Sequence, residues 1–480
     1  MIADLQTSAR RDWLIGTGIG AYAVVIALAP GPTVKAALAA PLLLAPILLW
    51  LLRSPTAWLG CFFFCAALLP PLPIRLGDSG PHIAIVFAAI GMWIGLLRLG
   101  EWRFHLNAPA TALLLLSALL MATIAMAAVN SGAVIAAKSF ARVVLFGVSV
   151  YVFLYARSGP ARCPAAQGFR WIRLLFWLAT LSALFACVDF YFQFPAPAGY
   201  EQQFLWLDTG IFRRAQGVFY ESSTLGNWCA FFLEMIAVAL FRPRGAHLPS
   251  LLGMTLGGSA LLAALMLSYS RGSLVNLGVA IAVLLWMHRD RLRRPRVLGI
   301  TAVFGASAAL LLAFVFPVFT SVYWARVAAA FQYFSESPNL VLSGRLASWQ
   351  LLGQYLIAHP WHALIGVGYK TLPYSDFIGT TAVGDNTYLT ALVETGIAGF
   401  TAVITLNIAI LRAAYRAARA GDALRSFCGT WMLCFWAGQS VQMLSADLLT
   451  YWRVLPAYFF VLALATAVPR DEHPLSRSVQ

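Results

Sequence analysis

The chain is a succession of apolar runs, each long enough to cross a bilayer. They fall near 14–30, 35–52, 56–73, 82–99, 109–129, 139–156, 171–194, 222–241, 249–268, 273–288, 297–317, 386–411, 425–446 and 451–468. A spanning helix needs about 20 mainly apolar residues, so this pattern leaves little room for any other architecture. Charge agrees with it: 11% of the 480 residues are charged and 61% hydrophobic, whereas a soluble chain carries roughly 25% charged residues. There are too few polar groups to cover a water-facing surface, so lipid is the expected solvent. The expected fold is all-α, a polytopic integral membrane protein of about 12–14 transmembrane helices.

The positive-inside rule sets the expected orientation. Alternation from a cytoplasmic N-terminus puts the strong arginine clusters inside, among them Arg10-Arg11, Arg242/Arg244 and the 289–296 run. Both termini are then cytoplasmic. The first apolar run lacks a convincing small-residue cleavage site and is expected to stay as a helix. The address is a bacterial inner membrane. Four regions follow: N-terminal transmembrane helices over 1–194, transmembrane helices with outer-face arginine motifs over 195–317, one large periplasmic loop over 318–385, and C-terminal transmembrane helices over 386–480. Within the loop, Leu346, Trp349, Leu352 and Leu356 recur at helical spacing between Ser343, an N-cap candidate, and the stop His359-Pro360. This reads as an amphipathic helix over 343–358 lying on the membrane surface, the kind of element that touches membrane lipids. Gly366-Val367-Gly368 then permits a tight backbone passage.

The net charge of +15 does not mark a nucleic-acid binder, because the basic residues sit in short clusters between apolar runs and not on one face. No cofactor is expected: Gly366-x-Gly368 lacks the third glycine and the βαβ frame of a dinucleotide fingerprint. No metal site is expected either, since there is no HExxH, no DxD and no clustering among the seven histidines. The seven cysteines put no pair on an outer loop, so no disulfide framework is implied.

The chemistry-bearing residues collect in the outer loops. Arg271 lies in Ser268-Tyr269-Ser270-Arg271-Gly272 between two apolar runs, and Arg213-Arg214 lie on the preceding outer loop. Guanidiniums converging at a leaflet suit a phosphate or pyrophosphate, because their planar fork pairs bidentately with its oxygens. A single arginine there would equally suit a lipid headgroup. Arg345 is a further candidate, or a solvated surface charge. Glu221 and Asp385 are acids on the same side; Glu234 and Glu394 lie deeper, where an ion pair that positions helices competes with a functional role. Asp385 directly precedes an apolar run and could cap it as easily as serve chemistry.

Taken in order, Ser270-Arg271-Gly272, Gly344-Arg345 with Trp349, Pro360 before Gly366-Val367-Gly368, Asp385-Asn386-Thr387-Tyr388-Leu389 and Glu394-Thr395-Gly396-Ile397-Ala398-Gly399 resemble the O-antigen ligase/polymerase superfamily of membrane glycosyltransferases. The resemblance covers roughly 210–415. It implies a metal-independent enzyme that moves a glycan from an undecaprenyl-pyrophosphate donor to a glycan or lipid A-core acceptor at the periplasmic face. Family ligases carry His, then Asn/Ser/Gln, nine residues, Gly, two residues, and Gly, Thr or Tyr. Asn386, Gly396 and Gly399 fit that spacing, while Asp385 stands at the histidine position, a departure more comfortable in a polymerase or exopolysaccharide relative. On this resemblance Asp385, Arg271 and Arg214 are the expected catalytic residues, with Arg213, Arg345, Asn386, Glu221 and Tyr388 binding substrate. A transporter or flippase for an anionic solute or lipid-linked glycan, and a protein O-oligosaccharyltransferase, are the alternatives.

Overall fold

The structure, a computed structural model, describes residues 13, 16–18, 20–72, 81–159, 165–195, 203–207, 210–241, 248–289, 321, 328, 332, 344–375 and 384–467. The expected span at 297–317, Ser343 and nearly all of the first part of the 318–385 loop, up to 343, lie outside the described residues.

The chain forms two compact units, Met1–Gly60 and Cys61–Gln480. The first holds helix α1 (Gly31–Arg53), which carries Pro41 and Pro46 inside it. Helix α2 (Ala57–Leu68) crosses the boundary. The second unit continues with α3 (Ile83–Leu97), α4 (Ala108–Ser131), α5 (Ala133–Ser158), α6 (Ala165–Phe192), a β1–β2 hairpin (Phe204–Leu207 and Gly210–Arg213), α7 (Ser222–Phe241), α8 (Leu251–Leu267), α9 (Arg271–Met287), α10 (Arg345–Ala358), α11 (Pro360–Ile365), α12 (Thr387–Ala418), α13 (Ala423–Gln442) and α14 (Leu455–Thr466). Among the described residues six helices are long and apolar enough to cross a membrane, and six shorter apolar helices accompany them. The protein is an all-α polytopic membrane protein, with the antiparallel hairpin as its one departure among the described residues.

Helix α13 occupies one of the expected spans yet is not among the six apolar ones. Its surroundings explain why. It is buried along nearly its whole length against α7, α9, α12 and α14, so it faces protein and can carry polar side chains. Asn227 on α7 and Asn276 on α9 each donate through Nδ2 to Gln439 and Gln442 on α13, at 2.8–3.0 Å. Tyr458 of α14 closes the group by donating to Asn227 Oδ1 at 2.6 Å. Such bonds between helices hold a bundle together where lipid offers no competing partner.

Helix α12 is broken. Gly396 sits at φ 68°, ψ −172° inside it, a left-handed φ that only glycine adopts cheaply. The break leaves carbonyls without helical partners, and the Gly366-Val367-Gly368 passage supplies them: Val367 N donates to Val393 O (3.0 Å) and Gly368 N to Glu394 O (2.9 Å). The fit is reciprocal, since a Cβ on Gly366 would collide with the Glu394 carbonyl and one on Gly396 with the Leu364 carbonyl. The expected amphipathic helix is present as α10, but its N-cap is Gly344. Its apolar stripe does not simply lie on lipid. Leu352 and Tyr355 pack with Val367, Leu372 and Val393, and Leu356 and Leu389 join them, so α10 is fastened to the broken helix.

Candidate functional site

The predicted residues gather at one end of the bundle, where α4, α6, α8 and α13 end and α5, α7, α9, α12 and α14 begin. The two adjacent arginines part company there. Arg213 ends β2 and turns inward, its Nη2 2.6 Å from Asp189 Oδ1 on α6. Gln193 brackets the same residue, accepting from its amide and donating to its carbonyl. Successive side chains of an extended segment face opposite ways, and Arg214 is accordingly held elsewhere: its Nε donates to Ser268 O at 2.8 Å. Arg213 is therefore committed to a buried ion pair, which sets it apart from the substrate contact expected of it.

Ser268-Tyr269-Ser270 makes a tight turn with Tyr269 at φ 50°. Ser270 then caps α9, accepting from Ser273 N, and delivers Arg271 as the first, exposed residue of that helix. Gly272 abuts Gln442 and Ser445 at the end of α13. The next turn of chain, 443–447, meets the mouth of α12, where Thr387 N donates to Met443 O (2.8 Å) and Thr387 Oγ1 to Ala446 O (2.7 Å). These contacts bring together the segments that carry Arg214, Arg271 and the Asp385-Asn386 pair.

Asn386, and not Asp385, caps α12: its Oδ1 accepts from Tyr388 N and Leu389 N at 3.0 and 3.1 Å. Asp385 is released from that duty and faces Arg345, with Nε 3.5 Å from Oδ2 and both side chains partly exposed. Tyr388 reaches back between helices, donating to Ser440 O (2.9 Å) and accepting from Asn407 Nδ2 (3.2 Å). Asn386 and Tyr388 therefore shape the site's wall. Glu221 precedes α7 and accepts from Thr224 Oγ1 at 2.7 Å and Ser223 Oγ at 3.4 Å. Burial pushes its carboxyl above the ordinary range, against the pull of those hydroxyls and of the Lys370 and Arg142 charges.

One further group adds Lys370 and Asp447 to Glu394, the deeper acid named from the sequence. Lys370 has a left-handed backbone at φ 57°, and its ammonium pairs with Asp447. Burial alone would lower the Lys370 pKa, but the carboxylates of Asp447 and Glu394 outweigh it and hold the ammonium charged above its usual range. Glu394 is 1% exposed, with the backbone amides of Lys370 and Leu372 beside its carboxylate. It lines a small cavity with Thr387, Thr390, Tyr369 and Asp447. A signal for this cluster was present in the sequence: Lys370 is one of just three lysines in a chain rich in arginine.

The end of the bundle therefore carries arginines and a lysine interleaved with carboxylates, in the pairs Arg213–Asp189, Arg345–Asp385 and Lys370–Asp447. A search of curated proteins found no match. Residues 256–404, which run from α8 through the break in α12, are similar to the family described as O-antigen ligase.

Proposed function

We propose that the protein is a glycosyltransferase of surface-polysaccharide biosynthesis, moving a glycan from an undecaprenyl-pyrophosphate carrier to an acceptor hydroxyl at the periplasmic face of the inner membrane. One observation carries this reading: the segments bearing Arg214, Arg271 and Asp385 meet at one end of the bundle, the latter two inside the family-matched segment. The donor is already activated, so the protein needs to supply only grip, charge and orientation. The acceptor oxygen forms a bond to the anomeric carbon as the bond from that carbon to the pyrophosphate oxygen breaks. Arg214 and Arg271 face the leaving group and offset its growing negative charge, which is where preorganised cations lower a barrier most. Asp385 takes up or orients the acceptor's proton, with Arg345 fixing the carboxylate's direction. Arginine supplies the charge for which other transferases use a bound metal, so the reaction proceeds without one.

Purified protein in lipid nanodiscs, given an undecaprenyl-pyrophosphate oligosaccharide and a glycan acceptor, should elongate or transfer it, and EDTA should not diminish the rate. A deletion strain separates the acceptors: shortened polysaccharide marks a polymerase, a bare lipid A core a ligase, and unglycosylated protein an oligosaccharyltransferase. Normal glycans of all three kinds in that strain would sink the proposal.

A further inference from the structure

Helices α10 and α11 belong to a stretch of chain that the sequence places between membrane spans, yet they do not sit where a connector would. The Leu364 carbonyl lies against Gly396, and Gly366 lies against the Glu394 carbonyl. Gly396 is nine residues beyond the start of α12. At a rise of about 1.5 Å per residue this is roughly 14 Å along a helix that crosses a hydrocarbon core about 30 Å thick. The α10–α11 corner is thus held alongside a point well inside α12 and not level with its mouth.

The exposure of the two segments is complementary. From Thr387 to Gly396 no residue of α12 is exposed; from Ile397 onward an outward stripe appears at Ile397, Ala398, Thr401, Thr405 and Ile408. The 345–375 segment covers the first part of the helix through Leu352, Tyr355, Val367 and Leu372. Whatever covers a face that would otherwise meet lipid must itself present a lipid-compatible surface, because the bilayer continues past it. The outer surface of the segment changes character along its length in the required direction. Along α10 the exposed positions before Ile357 are Ala347, Gln350 and Gln354. At the corner the large apolar ones are Ile357 (84% exposed), Trp361 (73%), Leu364 (52%) and Ile365 (49%), with Ala358, His359 and Pro360 exposed between them and Ile397 (47%) exposed on α12. Four large apolar side chains at such exposure would be unfavourable against water. At about 25 cal/mol per Å² of apolar surface, leaving them wet forfeits several kcal/mol.

We infer that α10 and α11 form a re-entrant wedge that descends into the leaflet on the site's side, with Ile357, Trp361, Leu364 and Ile365 in contact with lipid acyl chains. Gln350 and Gln354 stay at the headgroup level, so the helix runs obliquely from water into hydrocarbon. The wedge replaces the covered face of α12 as the protein's lipid boundary. The inference rests on the membrane-spanning fold alone and stands whether or not the glycosyltransferase reading does.

The test is depth measurement on the full chain in nanodiscs. A spin-labelled non-natural residue placed singly at 350, 354, 357, 361 or 364 is exposed to oxygen, which concentrates in hydrocarbon, and to a water-soluble nickel chelate. The oxygen-to-nickel collision ratio should rise several-fold from 350 and 354 to 361 and 364. A uniformly high nickel collision rate would overturn the wedge and leave a surface helix in water. Low collision with both reagents at 357–364 would overturn it too, since it would mean that protein covers this face. Gln350 and Gln354 are exposed, so labels there report depth even if a label at 361 disturbs packing.

Discussion

The Arg345 guanidinium and the Asp385 carboxylate meet across 3.5 Å, joining the first turn of α10 to the mouth of α12. Because Asn386 provides the cap, substitution at Asp385 reports on chemistry and not on helix stability. Asp385→Asn should insert and accumulate normally while transfer falls by at least ~10-fold, and Asp385→His, the residue of the family pattern, should recover part of it. A fully active Asp385→Asn protein would remove this residue from the mechanism. Arg345→Ala should cost less than Asp385→Asn, as an exposed pair of this kind is worth only ~0–1 kcal/mol.

Arg214 and Arg271 should each lose one to two decades of rate on substitution by alanine, from a charged hydrogen bond worth ~1.5–3 kcal/mol. Lysine should rescue only in part, since a point charge cannot form the bidentate fork. Arg213→Ala should show a different phenotype. It leaves Asp189 buried without its partner, so thermal stability should drop while the KM for donor in the surviving protein stays near wild type. Equal donor KM changes at 213 and 214 would contradict the division between the two.

Lys370→Met strands the Asp447 and Glu394 carboxylates beside one another. The loss should reach about 3 kcal/mol, which is the lower end for breaking a buried pair because both side chains retain slight exposure. Lys370→Met with Asp447→Leu should be more stable than Lys370→Met alone. Melting temperatures in detergent decide it, and a double variant no better than the single one would argue that Lys370 acts on Glu394 instead.

Glu221 offers a pH readout. Its carboxyl is raised in the folded protein, so the folded state holds this proton more tightly than the unfolded chain does. The stability it contributes is complete below the ordinary value of 4.5 and is lost as pH rises through the raised value. Glu221→Gln should flatten the fall in melting temperature over that interval, and an unchanged slope would assign the effect to another group.

Orientation is checked with reporter fusions. Alkaline phosphatase should be inactive when fused at residue 296 and active when fused in the 330s. The opposite pattern would move the site to the cytoplasmic face.

The membrane architecture was legible in the sequence because burial in lipid demands long apolar runs, and those survive any detail of packing. Helix α13 shows where that legibility thins: the run at 425–446 gave no hint that Gln439 and Gln442 meet Asn227 and Asn276, more than 160 residues away. The individual arginines and Asp385 were found from charge type and loop position. Their roles were not, since Arg213 and Arg214 differ only in which way an extended backbone turns them. The rarity of lysine marked Lys370, but its grouping with Asp447 and Glu394 was not legible, as the three come from a loop, a turn and a helix that only the fold brings together.

The interlock of Gly366 and Gly368 with the break at Gly396 also bears on biosynthesis. A ribosome releases the chain from its N-terminus, so the amides of Val367 and Gly368 emerge before the carbonyls of Val393 and Glu394 that they will serve. Bare carbonyls in hydrocarbon cost several kcal/mol each, and a discontinuous helix inserted ahead of its partners would stall at that barrier. Here the donors are already made when the acceptors arrive. The order of the two motifs along the gene thereby matches the order in which the bilayer needs them.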